Sequence, residues 1–123
     1  MPTGGRYLGT HIVADFYNCS TDLFDSNKIK QIAIDAAEYA NMTIEGVIDK
    51  FFEPYGLTVL VLLAESHLAI HTYPEHGYCA VDIFTCGDNS LPYKAFKYLE
   101  DELNPSDVYF KNLVRGLVGD TNE

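Results

Sequence analysis

The sequence predicts an α+β fold, a two-layer sandwich with a mainly antiparallel sheet and helices on one face. Two observations carry that prediction. Residues 9–17 and 78–86 alternate in polarity with period two, as half-buried strands do, whereas apolar residues after Ser26 and Ser90 recur every three or four positions, as in amphipathic helices. A third consideration sets the layering: two helices cover only one face of a sheet of this size, which leaves the other face open.

The first strand, residues 9–17, directs Ile12, Ala14 and Phe16 to one face and His11 and Asp15 to the other. Ser26 is the expected N-cap of a helix whose Ile29, Ile32, Ala33, Ala36, Ala37 and Ala40 form the buried stripe, and Asn41 is its stop. Residues 42–52 are expected as a strand and Pro54-Tyr55-Gly56 as a turn; the apolar run 57–64 follows as a strand buried on both faces. Residues 68–73 form the next expected strand and 74–77 a turn. In residues 78–86, Cys79, Val81 and Ile83 share one face, and Ala80, Asp82, Phe84 and Cys86 the other. Ser90 caps a second helix with Pro92 in its first turn and Ala95, Phe96, Leu99 and Leu103 along its stripe. A short last strand over 107–114 and a frayed polar end over 116–123 complete the expectation. No repeat, linker or low-complexity tract divides the chain, so residues 1–123 are expected to be a single domain. By alternation the open face carries His11, Asp15, His71, Tyr73, Asp82 and Cys86, a mixture suited to an active-site wall or a face-to-face dimer interface.

Composition narrows the functions. With 18 acidic against 8 basic side chains and a net charge of -10, the surface repels phosphate backbones, so nucleic acid is not an expected partner and a cationic small molecule is. The longest apolar run is far shorter than the roughly 20 residues that span a bilayer, and no basic-then-hydrophobic leader opens the chain, so neither membrane insertion nor export is expected. Cys19, Cys79 and Cys86 are odd in number and lack CxxC spacing, which fits a reducing cytoplasm better than a disulfide framework. Phosphate-binding glycine loops and a GxSxG elbow are both missing from the sequence.

Chemistry-bearing residues concentrate in 65–87, ESHLAIHTYPEHGYCAVDIFTCG, which holds three of the four histidines and two of the three cysteines. His67, His71, His76, Cys79 and Glu75 could ligate a metal, but their spacing matches no zinc knuckle or helical pair, so no metal is expected. A Cys86–His71 nucleophilic pair is a second possibility, and Ser66 held against the carbonyl of Glu65 a third.

This segment resembles the signature of the prokaryotic S-adenosylmethionine decarboxylase proenzymes, and GTHIVADFYNC, FFEPYG and YKAFKYL resemble that family at matching offsets, over roughly residues 9–103. The resemblance implies self-cleavage between Glu65 and Ser66 into fragments 1–65 and 66–123, with Ser66 converted into a pyruvoyl cofactor. It implies an N-to-O acyl shift of Ser66 Oγ onto the Glu65 carbonyl, β-elimination of the ester, and hydrolysis to the pyruvoyl amide. That carbonyl would condense with the substrate amine and accept the electron pair left by carbon dioxide. His71 matches the histidine that removes the Ser66 α-proton, Cys86 the cysteine that reprotonates the substrate, and Thr58 a serine whose hydroxyl helps processing. Phe52 matches the aromatic that stacks on the adenine and Glu75 the carboxylate that grips the ribose; Tyr73 stands where tryptophan is common, and Glu53 where an apolar residue is usual. The implied activity is decarboxylation of S-adenosylmethionine for spermidine synthesis, by a homodimer with sites at its junction. Glu53 would also suit the distal cation of ornithine or arginine on the same scaffold, and an inactive regulatory homologue is the non-enzymatic alternative. By alternation Ser66 has the wrong parity to join His71 and Cys86, so the 65–66 junction is expected to bend or be cut.

Overall fold

The computed structural model describes residues 5–64, 66–86 and 90–119. Its strands are β1 (Arg6–Tyr17), β2 (Ile44–Phe51), β3 (Leu57–Leu63), β4 (Ser66–Tyr73), β5 (Tyr78–Cys86) and β6 (Asp107–Val118). They form one sheet in the order β2-β3-β4-β5-β1-β6, with every neighbouring pair antiparallel. Helices α1 (Ser26–Tyr39) and α2 (Ser90–Leu103) both cover one side, α1 over β2, β3 and β4 and α2 over β1 and β5. The α+β two-layer sandwich expected from the sequence is therefore the fold observed.

The layer between helices and sheet is the core. Ile12, Phe16, Val59, Val61, Leu68, Ile70 and Ile83 project from the strands into Ile29, Ala33, Ala36, Ala37, Leu99 and Leu103 of the helices, and all of these are fully buried. Each large side chain so buried contributes about 1.5–3 kcal/mol. Three alanines on α1 let that helix lie close to the strands, and Phe96 joins α2 to β1 through an edge contact with Phe16 at 5.7 Å.

Several boundaries differ from expectation. Asp25, not Ser26, caps α1: its carboxylate accepts the Lys28 N–H at 3.1 Å, so Ser26 becomes the first helical residue. Asn41 does end the helix region, in a left-handed conformation with φ 60°. Strand β2 is shorter than 42–52, β3 stops at Leu63, and β4 starts two residues early, at Ser66. The last strand is not short: β6 pairs with β1 from Asp107↔Tyr17 to Val118↔Arg6, so 116–118 continue it instead of fraying. The expected cap at Ser90 and the end of the chain at 120–123 lie outside the described side chains. Nor is β3 buried on both faces. Val59 and Val61 face the helices and are fully buried, but Leu62 on the other side is half exposed. Among the described residues that face has no third layer, and Leu62, Tyr73, Tyr109 and Leu113 all stand exposed along it.

Candidate active site

The two arms of the β3–β4 hairpin place the Ser66 end of the sheet. Ala64 makes the turn; Glu65, the expected acyl donor, lies outside the described residues. Ser66 does not break the ladder, since it pairs with Leu63; the bend or cut expected at the 65–66 junction involves Glu65 and lies outside the described residues. Its hydroxyl oxygen accepts the backbone N–H of Cys86 at 3.2 Å, joining the first residue of β4 to the last residue of β5. Because it ends a strand, Ser66 borders two clefts: one of about 620 Å³ on the open face with Leu62, His67 and Phe84, the other of about 200 Å³ with Met42, Thr43, Thr85 and Cys86.

The other candidate residues lie at the opposite end of the strands. His71 Nδ1 and Thr58 Oγ1 are hydrogen-bonded at 2.9 Å because β3 and β4 set these two residues directly opposite each other. Thr72 Oγ1 accepts the Leu57 N–H at 2.9 Å, tying the 52–56 turn to the end of β4. Phe52, Glu53, Tyr73 and Glu75 stand exposed around this end, on the β2–β3 turn, the last residue of β4 and the 3-10 turn Pro74–His76. Gly77 closes that turn in the left-handed region, φ 62°, which glycine, lacking a Cβ, adopts without steric cost. Five residues along a strand at about 3.3 Å each separate His71 from Ser66 by roughly 17 Å. The structure thus brings Ser66 to Cys86 and His71 to Thr58, but it does not bring the two pairs together within one chain.

A polar network occupies the middle of the open face. Asp82 on β5 receives His11 Nε2 of β1 at 2.7 Å on Oδ1 and His67 Nε2 of β4 at 2.6 Å on Oδ2. His11 and His67 flank Phe84 because both are in register with it. Burial pushes the Asp82 carboxyl up, but the hydrogen bonds from His67 and His11 outweigh it and hold it below the usual carboxylate value. The ligand atoms of His11, His67 and Asp82 fall within 4.8 Å of one another, the grouping a metal triad would need. Arg115 argues for another use: its Nη1 lies 3.2 Å from His11 Nδ1 and can only donate, so the ring proton of His11 sits on Nε2, directed at Asp82 and not open to a cation. The metal donors weighed from sequence do not converge either, since Cys79 is buried in the core on the opposite face and Glu75 and His76 are exposed on the turn.

Toward the His71 end a groove of about 590 Å³ runs over Asp15, Ala69, His71, Ala80, Tyr109 and Lys111. Tyr78 donates its hydroxyl to Asp15, and burial, then the neighbouring carboxylate, push the phenol pKa up. Alternation had marked His11, Asp15 and Asp82. The approach of Phe84 and Arg115 to these residues depends on the register of β5 and β6 against β1, which a one-residue slip would reverse and which local sequence does not signal.

Known proteins share this sequence and this fold. The sequence model of one family, described as S-adenosylmethionine decarboxylase, matches residues 10–116. A protein of Thermosipho africanus named S-adenosylmethionine decarboxylase proenzyme is 44% identical over 112 residues, 90% of this chain and 86% of the relative. Another of that name, from Brevibacillus brevis, is 47% identical over 111 residues, 89% of this chain and 84% of the relative. The crystal structure of the adenosylmethionine decarboxylase of Aquifex aeolicus superposes with a TM-score of 0.88 at 40% identity, covering 94% of this chain and 96% of that one. With the serine-bearing hairpin, the facing threonine–histidine pair and this likeness in sequence and fold, the chain belongs to the S-adenosylmethionine decarboxylase family.

Proposed function

We propose that this protein is a cytoplasmic, self-processing decarboxylase of S-adenosylmethionine, producing the aminopropyl donor for spermidine synthesis, and that its working form is a homodimer. The observation that carries the reading is the pairing of Ser66 with Cys86 at one end of the sheet and of Thr58 with His71 at the other, in a chain of this family. Cleavage of the 65–66 bond makes residue 66 the pyruvoyl group, and Ser66 suits that role: it begins a strand directly after a turn, beside two clefts. The pyruvoyl carbonyl supplies an electron sink for the pair left by departing carbon dioxide. Cys86, on the adjacent strand end, is within reach of residue 66 to return a proton to the substrate carbon.

His71 has to reach the α-proton of Ser66, and in its own chain it lies some 17 Å away by strand geometry. A two-fold axis in the plane of the open face and across β4 reverses the strand direction, so one protomer's Thr58–His71 end overlies the partner's Ser66–Cys86 end. Both sites are then completed at once, and Leu62, Tyr73, Tyr109 and Leu113 become covered. In such a site Thr58 Oγ1 accepts the Nδ1–H of His71, which leaves Nε2 a lone pair for the proton. Phe52 and Glu75, from the His71 end, supply an apolar platform for the base and an acceptor for the ribose hydroxyls.

Carbon dioxide release measured with S-adenosylmethionine, ornithine and arginine, alongside mass spectrometry of the purified chain, tests this. Release from the first substrate alone, with fragments 1–65 and 66–123, is expected. Turnover of ornithine or arginine without S-adenosylmethionine would overturn the substrate assignment, and an intact 13.8 kDa chain with activity would overturn the processing.

A further inference from the structure

The network centred on Asp82 has no part in the roles given above to Ser66, His71, Cys86 and Thr58. Self-cleavage at the 65–66 bond, on which this inference rests, makes residue 66 the first residue of a new chain, and chain ends fray when little holds them. Ser66 pairs with Leu63 of β3, whereas its neighbour His67 is paired on both sides, with Leu62 and Phe84. Among the described residues, residue 66 is also tethered by the Cys86 N–H on Ser66 Oγ, and that bond is lost during processing, because Oγ leaves with the Glu65 carboxyl in the elimination. The orientation of the reactive end then depends on how firmly His67 is held.

His67 is held by Asp82 at 2.6 Å, and Asp82 cannot swing aside, because its other oxygen is gripped by His11 at 2.7 Å. His11 is fixed in turn by Arg115, whose guanidinium also lies over the Phe84 ring at 5.2 Å from its centroid. The two imidazoles meet each other edge to face at 6.1 Å, and Phe84 packs beside both histidines, with ring centroids at 5.5 Å from His11 and 6.0 Å from His67. Gly9 makes that possible: a Cβ there would stand 2.7 Å from the Phe84 ring. The side chains of His11, Asp82 and His67 keep 15%, 32% and 35% of their surface exposed, so these bonds are partly shielded from water.

We propose that Asp82 is a positioning residue: it clamps His67 and so fixes residue 66, first as the nucleophile of processing and then as the reactive chain terminus, with His11 and Arg115 setting its orientation. A carboxylate suits the task because each oxygen accepts one imidazole N–H; an amide offers a single acceptor and meets the second ring only as a donor, which forces that ring into its other tautomer.

The test uses the full-length chain, following appearance of the 66–123 fragment in freshly made precursor and then kcat and KM of the processed fraction. Asp82→Asn and His67→Leu should each slow cleavage about tenfold and lower kcat similarly, with KM within about twofold of wild type. His67→Gln, which returns an N–H donor near the Nε2 position, should restore both rates to within about threefold. The double variant Asp82→Asn/His67→Leu should be no slower than the slower single one, since both remove the same bond. Should Asp82→Asn fail to fold, the contrast between His67→Leu and His67→Gln on the partly exposed ring still decides. Wild-type cleavage rates in the single variants, effects that multiply in the double variant, or a His67→Gln chain as slow as His67→Leu would each overturn the clamp. A wild-type chain that never yields the fragments would overturn the processing reading, and this inference with it, a result distinct from the others.

Discussion

If His71 acts on the partner's Ser66, two inactive chains should repair one another. The perturbation is co-expression, in equal amounts, of Ser66→Ala and His71→Ala chains carrying different affinity tags. Five residues of strand, about 17 Å, separate the two positions in one chain, far beyond the roughly 3 Å that proton transfer needs. A mixed dimer holds one site with both Ser66 and His71 and one with neither. Random assembly puts about half of the chains in mixed dimers, so about half of the His71→Ala chains should be cleaved, against none when expressed alone. A chain carrying both substitutions, co-expressed with wild type, leaves each mixed dimer without a complete site, and should halve cleavage of the wild-type chains. Intact mass of each tagged chain reads out both arms. Mixed dimers recovered by tandem purification in which the His71→Ala chain stays uncut, with wild-type cleavage untouched by the doubly substituted chain, would refute the shared site.

Thr58→Val removes the hydroxyl that holds His71 Nδ1 at 2.9 Å and should slow precursor cleavage about tenfold, while Thr58→Ser stays near wild type; gel time courses of fresh precursor compare them. Cys86→Ala should still yield both fragments, because it retains the backbone N–H that reaches Ser66, but should lower kcat at least about a hundredfold in carbon dioxide release assays. Asp82 is held below its ordinary value, so its contribution to stability is complete above the unfolded carboxylate pKa near 3.8 and is lost as pH falls through the lower folded value. In a Ser66→Ala background, urea unfolding should therefore show Asp82→Asn less stable than its parent at pH 6, with the gap narrowing toward pH 3; a gap that widens on acidification would contradict the linkage.

Local sequence determines which side of the sheet a residue faces. Period two separates Ile12, Ala14 and Phe16 from His11 and Asp15 without reference to any other strand, and burial follows that division. The apolar stripes of both helices are equally local, as is the order of residues in ESHLAIHTYPEHGYCAVDIFTCG that carries the family resemblance. Less local features were harder to read. The extension of β6 from Arg115 to Val118 is stabilised by its ladder with β1, about a hundred residues away, and Gly116 within it hides that continuation from a local reading. The cap of α1 passed to Asp25 because a single residue of helix start separates two good capping side chains, and backbone geometry chooses between them.

What only the tertiary structure decided is which of the open-face residues meet. Alternation assigns His11 and Asp82 to one side, but their convergence with His67 and Arg115 needs β1 paired with β5, β5 with β4 and β6 with β1, each in one register. Pairing of distant strands depends on the whole hydrophobic pattern and the turns, not on the pairs themselves. The same holds for the separation of Ser66 from His71. The sequence sets them five residues apart, as though neighbours in one site, and an extended strand turns that short spacing into opposite ends of the sheet because backbone fully paired on both sides cannot fold back on itself.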